Sequence, residues 1–305
     1  MIQIVVSAGL PGWPPLRSRC LADPDSLLAI EQSTRPEASA QELSDRFSRV
    51  LHDLRVGGTW KRTNRGRLKR TEEMLGKHTP VELRRDFTLL DVGASDGTTT
   101  VEAVRALRRE FGGDIRAVLA DRDIWLFRHR RGPLVEYRAM DGEPIMVRLG
   151  RLGVRLAKQR REAEPESNAL ARFYLRRRRF RHSMRLDARI SLVNPLAHRE
   201  PGITVLRFDC LHFDETLADR ISAIRASNVL NPGYFNPSQI NTVARHFHSY
   251  LKNGGCLVVS RNADHPEGEI ENGSVWRKDD RRFRRVEDFG LGSEIKSLID
   301  GWSLC

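Results

Sequence analysis

Apolar residues recur along this chain with two different periods, and the change from one to the other divides it. In "AQELSDRFSRVLHDLRVGG", beginning at Ala40, Leu43, Phe47, Val50, Leu51 and Leu54 fall at helical spacing, and the paired glycines Gly57 and Gly58 are expected to end the helix. A second helix is predicted around "RLKRTEEMLGKHTP". The texture then shifts to short apolar runs separated by amphipathic ones. "FTLLDVG" reads as a buried strand, "TTTVEAVRALRREF" as a helix and "DIRAVLADRD" as another strand. Strand, helix, strand in this order is the signature of βαβ units on a parallel sheet. The same alternation returns in "ITVLRFDCLHF", "ISAIRASNVL", the helix "PSQINTVARHFHSYLKNG" and "GCLVVSRN". The tail "GSVWRKDDRRFRRVEDFG" reads as two strands around a polar turn.

Between Asp123 and Pro201 the alternation stops for longer than an ordinary connection requires. That stretch contains "MVRLGRLGVRLAKQRRE" and "LARFYLRRRRFRHSMRL", both read as basic helices. The expected fold is therefore α/β: a doubly wound, mostly parallel seven-stranded sheet with an antiparallel C-terminal hairpin and a basic helical insertion. The expected divisions are an irregular arm at 1–40, N-terminal helices at 41–86, and the sheet domain at 87–305 with its insertion at about 124–200.

Composition narrows the surroundings. The 305 residues, 39% of them hydrophobic, suffice for one sizeable core. Four scattered cysteines (Cys20, Cys210, Cys256 and Cys305) form no CxxC pair, so neither a metal site nor a disulfide framework is expected and a reducing, cytoplasmic setting fits. The apolar start "MIQIVV" has no basic leader and is soon broken by glycine and prolines, and no stretch approaches a membrane span. A net charge of +12 and a pI near 10.2 point to an anionic partner: a phosphorylated substrate, a membrane surface or nucleic acid. The run Arg176, Arg177, Arg178 and Arg179 is the candidate contact, with a solvated face as the plainer reading.

The candidate chemistry sits in "LLDVGASDGTTT", residues 89–100. Strand, glycine-containing turn and helix place 91–97 at the carboxyl edge of the sheet, where open α/β folds bind ligands. A bare helix N-terminus there attracts phosphate, but Asp91 and Asp96 flank the turn and oppose a pyrophosphate. A ligand that brings a cation and no phosphate suits the turn, and S-adenosylmethionine, with its ammonium and sulfonium groups, has that character. Asp96 is equally suited to capping the helix.

"LLDVGASDG" resembles motif I of the class I S-adenosylmethionine-dependent methyltransferases, an acid-x-Gly-x-x-x-Gly pattern carried by Asp91, Gly93 and Gly97, with Ala94, Ser95 and Asp96 completing the loop. The resemblance implies S-adenosylmethionine as cofactor and methyl transfer to an acceptor that remains unidentified. It also implies that Asp121, ending "AVLAD", holds the ribose hydroxyls, with Arg122 beside it and Asp123 next in line. Asp209 falls where the family contacts the adenine amino group, with Cys210 adjacent. "RASNVLNPGYF" is similar to the fourth-strand region of chemotaxis-receptor methyltransferases, with Ser227 where that subfamily has arginine, and marks Asn228 as a cofactor or substrate contact. For a general base, Tyr234, His198 and His212 lie within reach of the edge and the spacing selects none; His246 and His248 are expected to serve packing. Two other classes stay open: cofactor binding without catalysis, acting through the basic insertion, and a nicotinamide-dependent Rossmann oxidoreductase, against which the loop acids argue.

Overall fold

A computed structural model describes residues 5–6, 24–31, 40–52, 54–56, 59–61, 63–150, 152–156, 184–265 and 268–303. In chain order the elements are β1 (Val5–Val6), α1 (Pro24–Glu31), α2 (Ala40–His52), β2 (Arg55–Val56), β3 (Thr59–Trp60), α3 (Lys69–His78), α4 (Val81–Arg84), β4 (Thr88–Val92), α5 (Thr98–Phe111) and β5 (Arg116–Asp121). There follow β6 (Trp125–Arg131), β7 (Leu134–Arg138), β8 (Pro144–Leu149), β9 (Leu152–Arg155), β10 (Arg185–Ser191) and α6 (Pro195–Arg199). The chain ends with β11 (Ile203–Arg207), β12 (Ile221–Ser227), α7 (Pro237–Tyr250), β13 (Leu251–His265), β14 (Gly268–Asp279), β15 (Arg282–Phe289) and α8 (Lys296–Asp300). Two compact units form, one from 1–63 with 123–195, the other from 64–122 with 196–305.

The second unit contains the expected sheet. Its strand order is β11-β5-β4-β12-β13-β14-β15. The first five pair in parallel, and β14 and β15 continue antiparallel as a meander. Side chains alternate between two helix-covered faces, as a doubly wound sheet requires. Leu90, Val92, Ile224, Ala226, Leu257 and Val259 pack with Ile240, Val243 and Phe247 of α7 on one face. Leu89, Ala117, Ala223, Cys256 and Val258 pack with Leu75 of α3 and Ala103, Val104 and Leu107 of α5 on the other. All seven residues of the central strand β12 are buried. Asn236 and Gln239 close a reciprocal capping box at the start of α7, with Pro237 in its first turn.

The first unit corrects the helical insertion. Its described strands form a six-stranded sheet in the order β1-β9-β8-β7-β6-β10, and every pairing is antiparallel. "MVRLGRLGVRL" is a hairpin: Leu149 pairs with Leu152, and Gly150 between them takes φ +57°. The apolar positions alternate as Ile145, Val147, Leu149 and then Leu152, Val154, Leu156, a period of two that resets across the turn. Of the other predicted basic helix, Arg185 and Leu186 begin β10, while most of the segment lies outside the described residues. The arm at 1–40, expected to be irregular, contains α1; Leu27 and Ile30 of α1 and Leu43, Phe47 and Leu51 of α2 bury against Leu126, Tyr137, Met146 and Ile190 of the sheet. The 41–86 segment is shared, with α2 in this unit and α3 and α4 in the other. No helix among the described residues is long and apolar enough to cross a membrane.

Candidate functional site

The loop from β4 to α5 folds over the end of β5. The backbone N–H groups of Gly93 and Ala94 both donate to the Ala120 carbonyl, at 2.8 and 3.2 Å, and the Ser95 N–H donates to Asp121 Oδ2 at 2.8 Å. Three of the loop's residues take left-handed backbone conformations: Gly93 (φ +69°), Ser95 (+59°) and Gly97 (+81°). The glycines are required by neighbouring protein atoms as well as by φ. A Cβ on Gly93 would stand 2.8 Å from the Val229 Cβ, and one on Gly97 would stand 2.2 Å from a Leu119 methyl. Ser95 has a Cβ and accepts the strained conformation regardless, and its hydroxyl is buried with no hydrogen-bond partner among the described residues.

Asp96 is fully buried and precedes Gly97, the N-cap of α5: its Oδ1 accepts from Thr98 N at 2.9 Å and its Oδ2 from Thr98 Oγ1 at 3.0 Å. A donor that a phosphate would use at this helix end is thereby taken.

Asp91 lies elsewhere than its motif suggests. Its side chain belongs to the face covered by α3 and α5, and in register it is the cross-strand partner of Arg225 on β12. Arg225 Nε donates to Asp91 Oδ1 at 2.8 Å and Nη2 to Oδ2 at 2.5 Å, and Thr100 Oγ1 on α5 donates to Oδ2 at 2.5 Å. Asp91 is 2% exposed and Arg225 is fully buried. This acid balances a buried guanidinium. Glu72 Oε1 on α3 approaches Arg225 Nη1 at 3.9 Å. Burial, with the like charges of Glu102, Glu271 and Asp91, overrides the attraction of Arg225 and pushes the Glu72 carboxyl up to about 7. Glu271 on β14 accepts from the N–H groups of Arg70 and Thr71 and from Thr71 Oγ1, satisfying the first turn of α3.

The remaining predicted positions separate. Asp121 stands at the loop, as described, and Phe208 N donates to its carbonyl, so the ends of β5 and β11 meet there. Arg122 follows it in the same unit, whereas Asp123 belongs to the other. Asp209 turns the chain after β11, accepting from Leu211 N at 3.0 Å, with His212 Nδ1 at 3.4 Å from its other oxygen. The Cys210 thiol is buried and pushed up to about 12 by that burial. Asn228, at φ +61°, ends β12; its side chain accepts from Asn262 N and donates to Asn262 Oδ1. Of the base candidates, His198, His212 and Tyr234 are all exposed. His246 contacts the Cys210 carbonyl, and His248 contacts that of Asp279 and packs against Phe283 and Trp302, the structural roles expected of them. Arg176 to Arg179 lie outside the described residues.

Reading the sequence passes over Arg225, Thr100, Glu72 and Asn262. Arg225 was the one with a signal, because an arginine inside the apolar run "ISAIRAS" demands an acid on the neighbouring strand, and "LLDV" supplies one.

Sheet order, loop and edge together give this unit a doubly wound, Rossmann-like α/β fold with an antiparallel C-terminal meander. No protein-family profile and no curated protein sequence matches the chain. Among solved structures it is similar to the 1,6-didemethyltoxoflavin N1-methyltransferase of Burkholderia thailandensis, at 15% identity over 94% of this chain and 80% of that one, with a TM-score of 0.35. It is also similar to the geranyl diphosphate C-methyltransferase of Streptomyces coelicolor A3(2), at 14% identity over 78% of this chain and 56% of that one, with a TM-score of 0.29. A third is the [4+2]-cyclase SpnF, at 15% identity over 63% and 44%, with a TM-score of 0.29. In several similarities to solved structures the chain spans only about half of the other protein, from 41 to 55% of its length.

Proposed function

We propose that the chain binds S-adenosylmethionine at the carboxyl edge of β4, β5 and β12 and transfers its methyl group to an acceptor. The observation that carries this reading is Asp96: its carboxylate occupies the N-terminus of α5, which disfavours a pyrophosphate there and leaves an acid beneath the loop. A nicotinamide dinucleotide is disfavoured for the same reason.

The bound cofactor would supply a methyl on a sulfonium, an electrophile with an excellent leaving group. The chain's part is to bind and orient. Asp121 fixes the loop through the Ser95 N–H, and Ser95 keeps an unused buried hydroxyl at its crest. Asn228 is held by Asn262 at the neighbouring strand end, where it can meet cofactor or acceptor. Asp209 and Cys210 line the end of β11, in reach of a purine. Asp91 acts from beneath by holding Arg225 and α5 in place, and so positions the loop without touching its occupant. Proximity and orientation are then the main sources of rate.

Cofactor binding without turnover is the second reading, favoured by the exposure of all three base candidates. Mass spectrometry of fractionated lysate incubated with the pure protein and methyl-labelled cofactor separates the two: a labelled product supports transfer, and cofactor binding without any label supports the binding module. A cytoplasmic setting accords with the free, buried thiols of Cys210 and Cys256. The segment containing Arg176 to Arg179 is proposed to meet an anionic partner; serine at all four positions would then weaken binding to anionic vesicles or nucleic acid and flatten its salt dependence.

A further inference from the structure

A cavity of about 140 Å³ opens beside the loop, between the ends of β12 and β13 on one side and the turn after β15 on the other. Its wall includes Val229, whose Cβ stands where a side chain on Gly93 would clash, so it adjoins the motif I loop directly. Most of the lining is uncharged. Val229, Val259 and Ala263 supply apolar surface, and Asn272 supplies amide hydrogens. Asn272 Oδ1 is occupied, accepting from Leu291 N at 2.8 Å, while its Nδ2 has no hydrogen-bond partner among the described residues. The charged residues of the lining, Arg261 and Glu294, are paired with each other and half exposed. Leu291 also lines the cavity and yet is 86% exposed, the most exposed of the large hydrophobic side chains described. It sits between two glycines in left-handed conformations, Gly290 (φ +57°) and Gly292 (φ +78°). An apolar side chain held out in water over a partly apolar cavity gains by closing on a guest.

We infer that this cavity is the acceptor pocket, and that it takes a small, uncharged group with an apolar body and a hydrogen-bond acceptor directed at Asn272 Nδ2. Calling the guest a methyl acceptor rests on the methyl-transfer reading; its chemistry rests on the cavity alone. The volume is close to the ~150 Å³ that admits one benzene ring. A phosphate or carboxylate finds no unpaired cation in the lining, so the guest is not anionic at its buried end.

The test uses the full chain and three probes, benzamide, benzoate and inorganic phosphate, titrated without cofactor by ligand-observed saturation-transfer NMR. Benzamide is expected to bind, with benzoate and phosphate about tenfold weaker or undetected. Ala263→Leu, which fills the cavity, and Leu291→Ser, on a solvent-exposed residue whose change leaves the fold intact, should each weaken benzamide about fivefold. Absence of benzamide binding overturns the inference, as does tighter binding of either anion or unchanged affinity in the Leu291→Ser protein. Because no cofactor is present, failure here is separate from failure to bind S-adenosylmethionine, which is measured independently.

Discussion

Asp91 and Arg225 form a buried ion pair that Thr100 of α5 joins, tying the central strands to the helix that follows the loop. Both are buried, in register on adjacent parallel strands, with both oxygens of the acid engaged. Removing either partner leaves the other charged and dry. Asp91→Ala and Arg225→Met are each expected to cost about 3 to 5 kcal/mol in urea unfolding, with the double Asp91→Ala/Arg225→Met variant losing less than the sum. Additive losses would mean that the two side chains are not coupled. Glu72, beside this pair, has a folded-state pKa raised from 4.5 to about 7, so it is protonated in the folded chain and ionised in the unfolded one between those values. Its contribution to stability is full below about pH 4.5 and is lost as pH rises through about 7. The urea midpoint of Glu72→Gln should therefore gain on the parent between pH 5 and 8, by an amount of order 1 to 3 kcal/mol; a pH-independent difference would show that Glu72 is not titrating there. At this scale the sequence was legible where a residue's neighbours are local. Asp96 bonding to Thr98 lies within two residues and was open to reading; the apolar run around Arg225 called for an acid, but that the acid is Asp91 depends on strand register across 134 positions.

Among the elements, the alternation of buried strands with amphipathic helices was readable from β4 onward, because a strand covered on both faces is continuously apolar and short. α7 carries its own start signal, and Asn236→Ala is expected to cost about 1 kcal/mol through loss of the cap, read from thermal or urea unfolding. No change would mean that the cap is made by other groups in solution. The insertion was misread because its strands are rich in arginine and leucine, residues at home in helices, and because the turn at Gly150 shifts the alternation by one position. Its apolar alternation is nonetheless period two, and on the opposite face of the same strands Tyr137 and Met146, cross-strand partners, pack with Phe47 of α2. Phe47→Ala should cost about 3 to 5 kcal/mol, since the side chain is wholly buried. A loss confined to a few tenths would place α2 outside this core.

At the scale of the whole molecule, one sheet edge gathers site residues whose parts are unequal. Gly93, Ser95, Asp96, Gly97 and Asp121 converge on one loop, Asn228 stands at the adjoining strand end, and Asp91 works behind them. The glycines and acids were legible because a strand-to-helix turn needs them within a few residues of one another; the cavity was not, because its walls come from four separate stretches of chain brought together only by the final meander. Asp121→Ala removes the acceptor that holds the Ser95 N–H and should weaken cofactor by about 1.5 to 3 kcal/mol, the range for hydrogen bonds to a charged group. The most direct test of the central claim is isothermal titration of the intact chain with S-adenosylhomocysteine, run beside an identical titration with NAD. The account predicts saturable one-site binding of S-adenosylhomocysteine, weakened in the Asp121→Ala protein, and no heat with NAD; tight NAD binding, or no S-adenosylhomocysteine binding by the folded chain, would contradict it.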